Sequence, residues 1–134
     1  MSEHPPALTP EPLSDRVRRG DLMATQCPSR DVLKHVTSRW GVLALMALED
    51  NTLRFSALRQ QIGGVSERML AQTLQALAAD GFVNRVSFDV VPPHVEYSLS
   101  PLGREVAEKV RGLADWIEVS MPRIAQAQQD REQG

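Results

Sequence analysis

The sequence predicts an α+β fold, mainly α: a winged helix-turn-helix with a C-terminal dimerisation helix. One observation is a helix with a start, a stop and two unlike faces over Gly64–Phe82, preceded at once by a shorter helix that Gly63-Gly64 closes. The other is a change of hydrophobic period from 3.6 to 2 beyond Gly81, followed by a new helical series from Ser100-Pro101. Helix, tight glycine turn, helix and hairpin, in that order, describe a winged helix.

From the N-terminus, residues 1–13 hold four prolines and little packable surface, so they read as a disordered tail. Residues 14–121 read as the winged-helix domain with terminal dimerisation helices, and residues 122–134 as a C-terminal tail. Ser14 suits the cap of a short helix to Met23, with Val17 and Leu22 turned inward and Arg16, Arg18 and Arg19 outward. Ser29 suits the cap of a longer helix whose apolar series Val32, Leu33, Val36, Trp40, Leu43, Ala44, Ala47 and Leu48 marks it as central and buried. Thr52-Leu53-Arg54 is a stub of strand, and Phe55, Leu58 and Ile62 set a short second helix.

The helix after Gly64 carries the functional argument. Ser66 is placed to cap it, with Val65 and Leu70 as a hydrophobic staple and Gly81 as the stop. Leu70, Leu74 and Leu77 form one stripe that must pack on a core. Opposite them stand Arg68, Gln72, Gln75 and Ala79, with Ala71 and Ala76 alongside. Flat amide and guanidinium groups match base edges, and alanines let a backbone approach a groove.

In the hairpin, Val86, Phe88 and Val90 alternate with Arg85, Ser87 and Asp89, and Val95, Tyr97 and Leu99 alternate with Glu96 and Ser98, joined by Pro92-Pro93-His94. After Ser100-Pro101, a cap with proline in the first turn, Leu102, Val106, Val110, Leu113, Ile117 and Met121 make an apolar seam longer than the body can cover. Such a seam calls for a partner helix, most simply that of a second copy. Pro122 is expected to end or kink this helix, with the chain frayed after Gln126.

The chain has 15 Lys and Arg against 17 Asp and Glu, a net charge of −2, so any positive face must be assembled by folding. The single cysteine excludes an internal disulfide, and no apolar run reaches membrane-span length. The expected setting is cytoplasmic. His4, His35 and His94 lack ligand spacing, and there is neither a nucleophile–base pairing nor a phosphate loop. No metal, cofactor or enzymatic activity is expected.

The stretches C-P at 27–28, S-R-W at 38–40, R-F-S-A-L-R at 54–59, G-V-S-E-R-M-L-A-Q-T-L-Q-A-L-A-A-D-G-F-V at 64–83 and V-P-P-H-V-E-Y-S-L-S-P-L-G at 91–103 resemble the HxlR family of bacterial winged-helix regulators. The resemblance spans roughly residues 24–118. It implies a homodimer on a palindromic operator, with the helix from Ser66 in the major groove and the wing near the minor groove. Ser38-Arg39 departs from the Gly-Lys that commonly precedes this tryptophan, and Thr73 stands where a basic residue is frequent. These departures bear on operator sequence rather than on class.

Arg68 and Gln72 are the first candidates for base contact, with Ser66 and Gln75 second. Arg54, Arg59, Arg85 and His94 are candidates for backbone or wing contact with double-stranded DNA. Val106, Val110, Leu113, Trp116 and Ile117 are the expected dimer interface. Cys27 is a candidate sensor of an electrophile or oxidant, because it precedes a helix N-terminus and Arg30; the alternative is a buried plug beneath that helix. A different functional class is also open, a winged helix that docks proteins instead of specific DNA.

Overall fold

The computed structural model of the protein describes residues 11–20 and 28–134. The chain divides into two units, residues 1–33 and 34–134. In the first, α1 (Leu13–Arg19) begins directly after Pro12, whose extended backbone needs no side-chain cap. Ser14 is therefore inside the helix and not its cap, and Leu13 belongs to the helix rather than to a tail. Arg18 pairs with Asp15 at 3.3 Å and Arg19 with Glu11, while Val17, expected to turn inward, is exposed. Leu22 and residues 1–10 lie outside the described residues.

The central helix expected over residues 29–48 is two helices, α2 (Pro28–Thr37) and α3 (Arg39–Ala47). Pro28 and Ser29 are both helical, so Ser29 lies within α2 and is not its cap. The break is at Ser38, whose backbone is extended and whose Oγ accepts from the Gly41 N–H at 3.1 Å while donating to the His35 carbonyl at 2.8 Å. A Cβ on Gly41 would stand 2.2 Å from that same carbonyl oxygen, so the corner closes only over a glycine.

From the corner, α3 sends Ala44, Leu45 and Leu48 into the core. Then β1 (Leu53–Arg54) leads directly into α4 (Phe55–Ile62), which buries Leu58. Gly63 and Gly64 both have positive φ, 73° and 75°, which turns the chain sharply into α5 (Glu67–Ala79). As expected, the Ser66 hydroxyl accepts from the Met69 N–H at 3.1 Å and Leu70, Leu74 and Leu77 are buried.

The wing is β2 (Val83–Phe88) and β3 (His94–Leu99), antiparallel, with β1 on the other side of β3. Leu53 pairs with Tyr97, and Val83 with Leu99. Only Val83, Tyr97 and Leu99 of these strands are buried. Val86, Phe88 and Val90 are all exposed: Val86 stands opposite Glu96 and Phe88 opposite His94, on the face of the hairpin away from the buried Val83, Tyr97 and Leu99.

Last comes α6 (Pro101–Gln133), capped by Ser100, whose Oγ accepts from the Gly103 N–H at 2.9 Å and donates to the Gly81 carbonyl at 2.6 Å. Gly103 lies so close to Phe82 that a Cβ would stand 2.0 Å from its carbonyl oxygen. Ala107 and Val110 are buried, and α6 packs on α3, where Arg111 donates from Nε to Glu49 at 3.0 Å. That carboxylate raises the guanidinium pKa above its ordinary value. The helix does not end at Pro122 but continues to Gln133, forgoing only the hydrogen bond a proline cannot donate.

Candidate nucleic-acid interface

With its leucines buried, α5 has three remaining sides, about 100° per residue apart in sequence order. Arg68, Gln72 and Ala79 form a central exposed ridge. Ala71, Gln75 and Ala78 lean toward the wing, where with Arg85 and Tyr97 they line a groove of about 380 Å³. Met69, Thr73 and Ala76 lean the other way, toward the α2–α3 corner, and with Lys34, His35, Ser38 and Gln72 line a groove of about 260 Å³. Thus α5 stands proud between two troughs.

Arg68 and Gln72 are exposed, and no hydrogen bond or ion pair holds either one among the described residues, so their donors are available. Gln75 is exposed on the wing side. Ser66 has its acceptor engaged in the cap but keeps a hydroxyl proton to donate. Thr73, at the position where a basic residue is frequent, bonds the Met69 carbonyl at 2.8 Å and turns back on its own helix.

The backbone candidates separate. Arg59 is tied to the turn: its Nε donates to the Val65 carbonyl at 2.9 Å and its Nη1 approaches Glu67 at 3.5 Å, bracing the loop that starts α5. Arg85 reaches Ser87 at 3.2 Å and faces the groove shared with Gln75. Arg54 is exposed on β1, in register with Glu96. His94 belongs to the wing itself, stacked on Phe88 with ring centroids 4.8 Å apart and bonded to Glu96 at 3.1 Å. Two further cations, Lys34 and Arg39, were absent from the sequence candidates; the only signal for them was Ser38 beside Gly41, which makes the corner they flank.

The expected dimer seam also divides. Val110 is core within its own chain and Val106 is half-buried, whereas Leu113, Trp116 and Ile117 are exposed. Trp40 is half-buried beneath the α4–α5 turn. Cys27 lies outside the described residues.

Residues 35–125, which hold all of this arrangement except Lys34, match the profile of the HxlR-like helix-turn-helix family. The chain belongs to that family. Among HxlR-like relatives, it is 63% identical over 119 residues to the uncharacterized HTH-type transcriptional regulator YtfH of Escherichia coli K12, covering 89% of this chain and 94% of the relative. The solved structure of a protein described as the transcriptional regulator ytfH from Salmonella typhimurium is 67% identical, covers 81% of this chain and 96% of its own, and has a TM-score of 0.76. The redox regulator HypR in its reduced form is 30% identical over 75% of this chain and 99% of its own, with a TM-score of 0.67. As an HxlR-like protein the chain is a transcriptional regulator of the helix-turn-helix type with a DNA-binding fold. No helix among its described residues is long and apolar enough to cross a membrane.

Proposed function

We propose that this regulator binds a palindromic operator as a homodimer, with α5 in the major groove and the wing at the neighbouring minor groove. The observation that carries the reading is the exposed ridge of Arg68 and Gln72, flanked by Gln75, on a helix whose opposite side is locked into the core by three leucines. Arg68 has the geometry for bidentate contact with guanine and Gln72 for adenine. Two-fold symmetry follows from α6, where Leu113, Trp116 and Ile117 remain half-exposed on one seam and await the same helix of a second copy. No enzymatic chemistry is assigned to it.

Cys27 is the proposed sensor. It directly precedes Pro28 in the sequence, and the thiolate is the form that oxidants and electrophiles attack. With one cysteine per chain, the switch is a disulfide between two copies, a capped thiol or an electrophile adduct. HypR, a redox regulator, is similar enough to make this reading worth testing.

The exposed apolar edge of the wing, Val86, Phe88, Val90 and Val91, favours a second reading in which the wing docks a protein. The two separate by titrating DNA from the protein's own promoter region at rising salt. Specific binding that weakens steeply with salt supports the operator reading. Equal affinity for promoter and random duplex, with little salt dependence, removes it.

A further inference from the structure

A helix seated in the major groove runs between two phosphate backbones, so a reading head needs cations on both sides of its ridge. On the wing side of α5 the structure has Arg85. The other side is formed by the α2–α3 corner, and there two exposed cations stand, Lys34 in the last turn of α2 and Arg39 in the first turn of α3.

Three features make this corner more than a chance pair of surface charges. It is fixed to α5 at a distance from the ridge: His35 Nδ1 and Asp80 Oδ2 are 2.7 Å apart, joining residues 45 positions apart in sequence and anchoring the end of α2 to the end of α5. Arg39 is also pre-positioned, its guanidinium carbon lying 5.3 Å from the centre of the Trp40 ring, whose far edge is 3.9 Å from where a Cβ on Gly64 would stand. Gly64 is in the turn that starts α5, so the stacked guanidinium is held beside the leading end of the reading helix with fewer rotamers to lose on contact. Finally, neither Lys34 nor Arg39 has a carboxylate partner among the described residues, in contrast to Arg59 and Arg111.

We propose that Lys34 and Arg39 form a backbone-phosphate clamp on the corner side of α5, opposite Arg85, gripping the DNA strand that borders the major groove there. This rests on the reading that α5 enters the major groove. Phosphodiester is the ligand the site suits: two cations along one edge of a shallow trough match a repeating monoanion, and Ser38 between them offers no third charge. The clamp reads no sequence. It sets the register from which Arg68 and Gln72 meet base edges.

The test uses the full-length protein and a random-sequence duplex, with affinity followed against salt. Each phosphate contact contributes about 0.9 to the slope of log affinity on log salt, so between about 50 and 200 mM each lost contact shrinks the salt-driven loss about 3.5-fold. The double variant Lys34→Ala/Arg39→Ala should show a loss smaller than the parent's by about 12-fold. The double variant Arg104→Ala/Lys109→Ala, on α6, removes the same net charge and should keep the parent slope. Arg39→Lys should also stay near the parent slope. Circular dichroism checks that each variant is folded, and Lys34→Gln/Arg39→Gln replaces the alanine pair should that pair unfold. A parent with a steep slope and a corner double variant with the same slope overturns the clamp and leaves DNA binding standing. The clamp is equally overturned if both double variants flatten the slope alike. A parent that binds its own promoter region but not this duplex overturns the clamp alone, and a parent that binds neither overturns both readings.

Discussion

The dimer seam gives the sharpest single test, because the structure splits a stripe that looks continuous in sequence. Leu113, Trp116 and Ile117 are 53%, 57% and 41% exposed, while Val110, one turn before Leu113, is 6% exposed. Complete burial of a large apolar side chain contributes about 1.5–3 kcal/mol, so covering the exposed half of each of the three yields about 1 kcal/mol apiece. Over two copies that is about 6 kcal/mol, so these three residues would dominate a contact between two copies of α6 without accounting for the whole of it. Leu113→Asp removes two of these contributions and brings two carboxylates toward an apolar contact, a change of about 4 kcal/mol or more, roughly a thousandfold in Kd. Sedimentation equilibrium at about 10 μM should then give a dimer for the parent and a monomer for Leu113→Asp, with unchanged circular dichroism. Val110→Ala should behave differently. It should cost about 2 kcal/mol of folding stability through a core cavity and leave the association constant nearly unchanged. A monomeric parent, or a Leu113→Asp protein that remains dimeric, refutes the reasoning.

Other outcomes follow from the reading head and its supports. Arg68→Ala should lose about 1–3 kcal/mol on operator DNA and relax preference at one base pair per half-site, and an equal loss on random duplex takes it out of the base-reading role. Gly103→Ala should destabilise by about 3 kcal/mol or more in denaturant titration, because its Cβ meets the backbone of Phe82 rather than a side chain that can move. After treatment with diamide, which takes up two electrons and two protons from two thiols, the parent should release operator DNA and Cys27→Ser should hold it. A parent that stays bound while mass spectrometry shows Cys27 modified rules the switch out.

Much of this was legible in sequence wherever the decisive physics is local. The start of α5 could be read from Ser66, its buried side from three leucines and its end near Gly81, because caps and stripes act within one or two turns. The corner at Ser38 could not. The apolar spacing continues straight through it, and what decides the break is the close approach of Gly41 to a carbonyl three residues before the serine. The wing shows a second limit: a period of two says that Val86, Phe88 and Val90 share a face, and nothing in that period says whether another layer covers it. Along α6 the same apolar stripe passes from the chain's own core at Val110 to open surface at Leu113, a boundary set by how far α3 reaches. Arg59 was legible as a cation beside the turn, but its hydrogen bond from Nε to the Val65 carbonyl, six residues on, was not.

The acidic balance of the chain, which argues against nucleic-acid binding when charges are merely summed, has a different meaning once the pairs are known. Between Lys34 and Leu99 there are six Lys and Arg and six Asp and Glu. Four of the six acids are engaged: Glu49 with Arg111, Glu67 with Arg59, Asp80 with His35 and Glu96 with His94. Of the six bases only Arg59 meets a carboxylate among the described residues. For Glu49 and Glu67, held against guanidinium groups, opposite charges a few ångströms apart present little more than a dipole, and beyond a Debye length of about 8 Å their field is screened; Asp80 and Glu96 are instead hydrogen-bonded to imidazoles. What an approaching phosphate meets is therefore set by the unpaired cations, Lys34, Arg39, Arg54, Arg68 and Arg85. Three of these lie along α5 or the α2–α3 corner beside it, and Arg85 lies on the wing side. The positive face proposed for DNA thus comes from where the carboxylates are spent, not from an excess of basic residues.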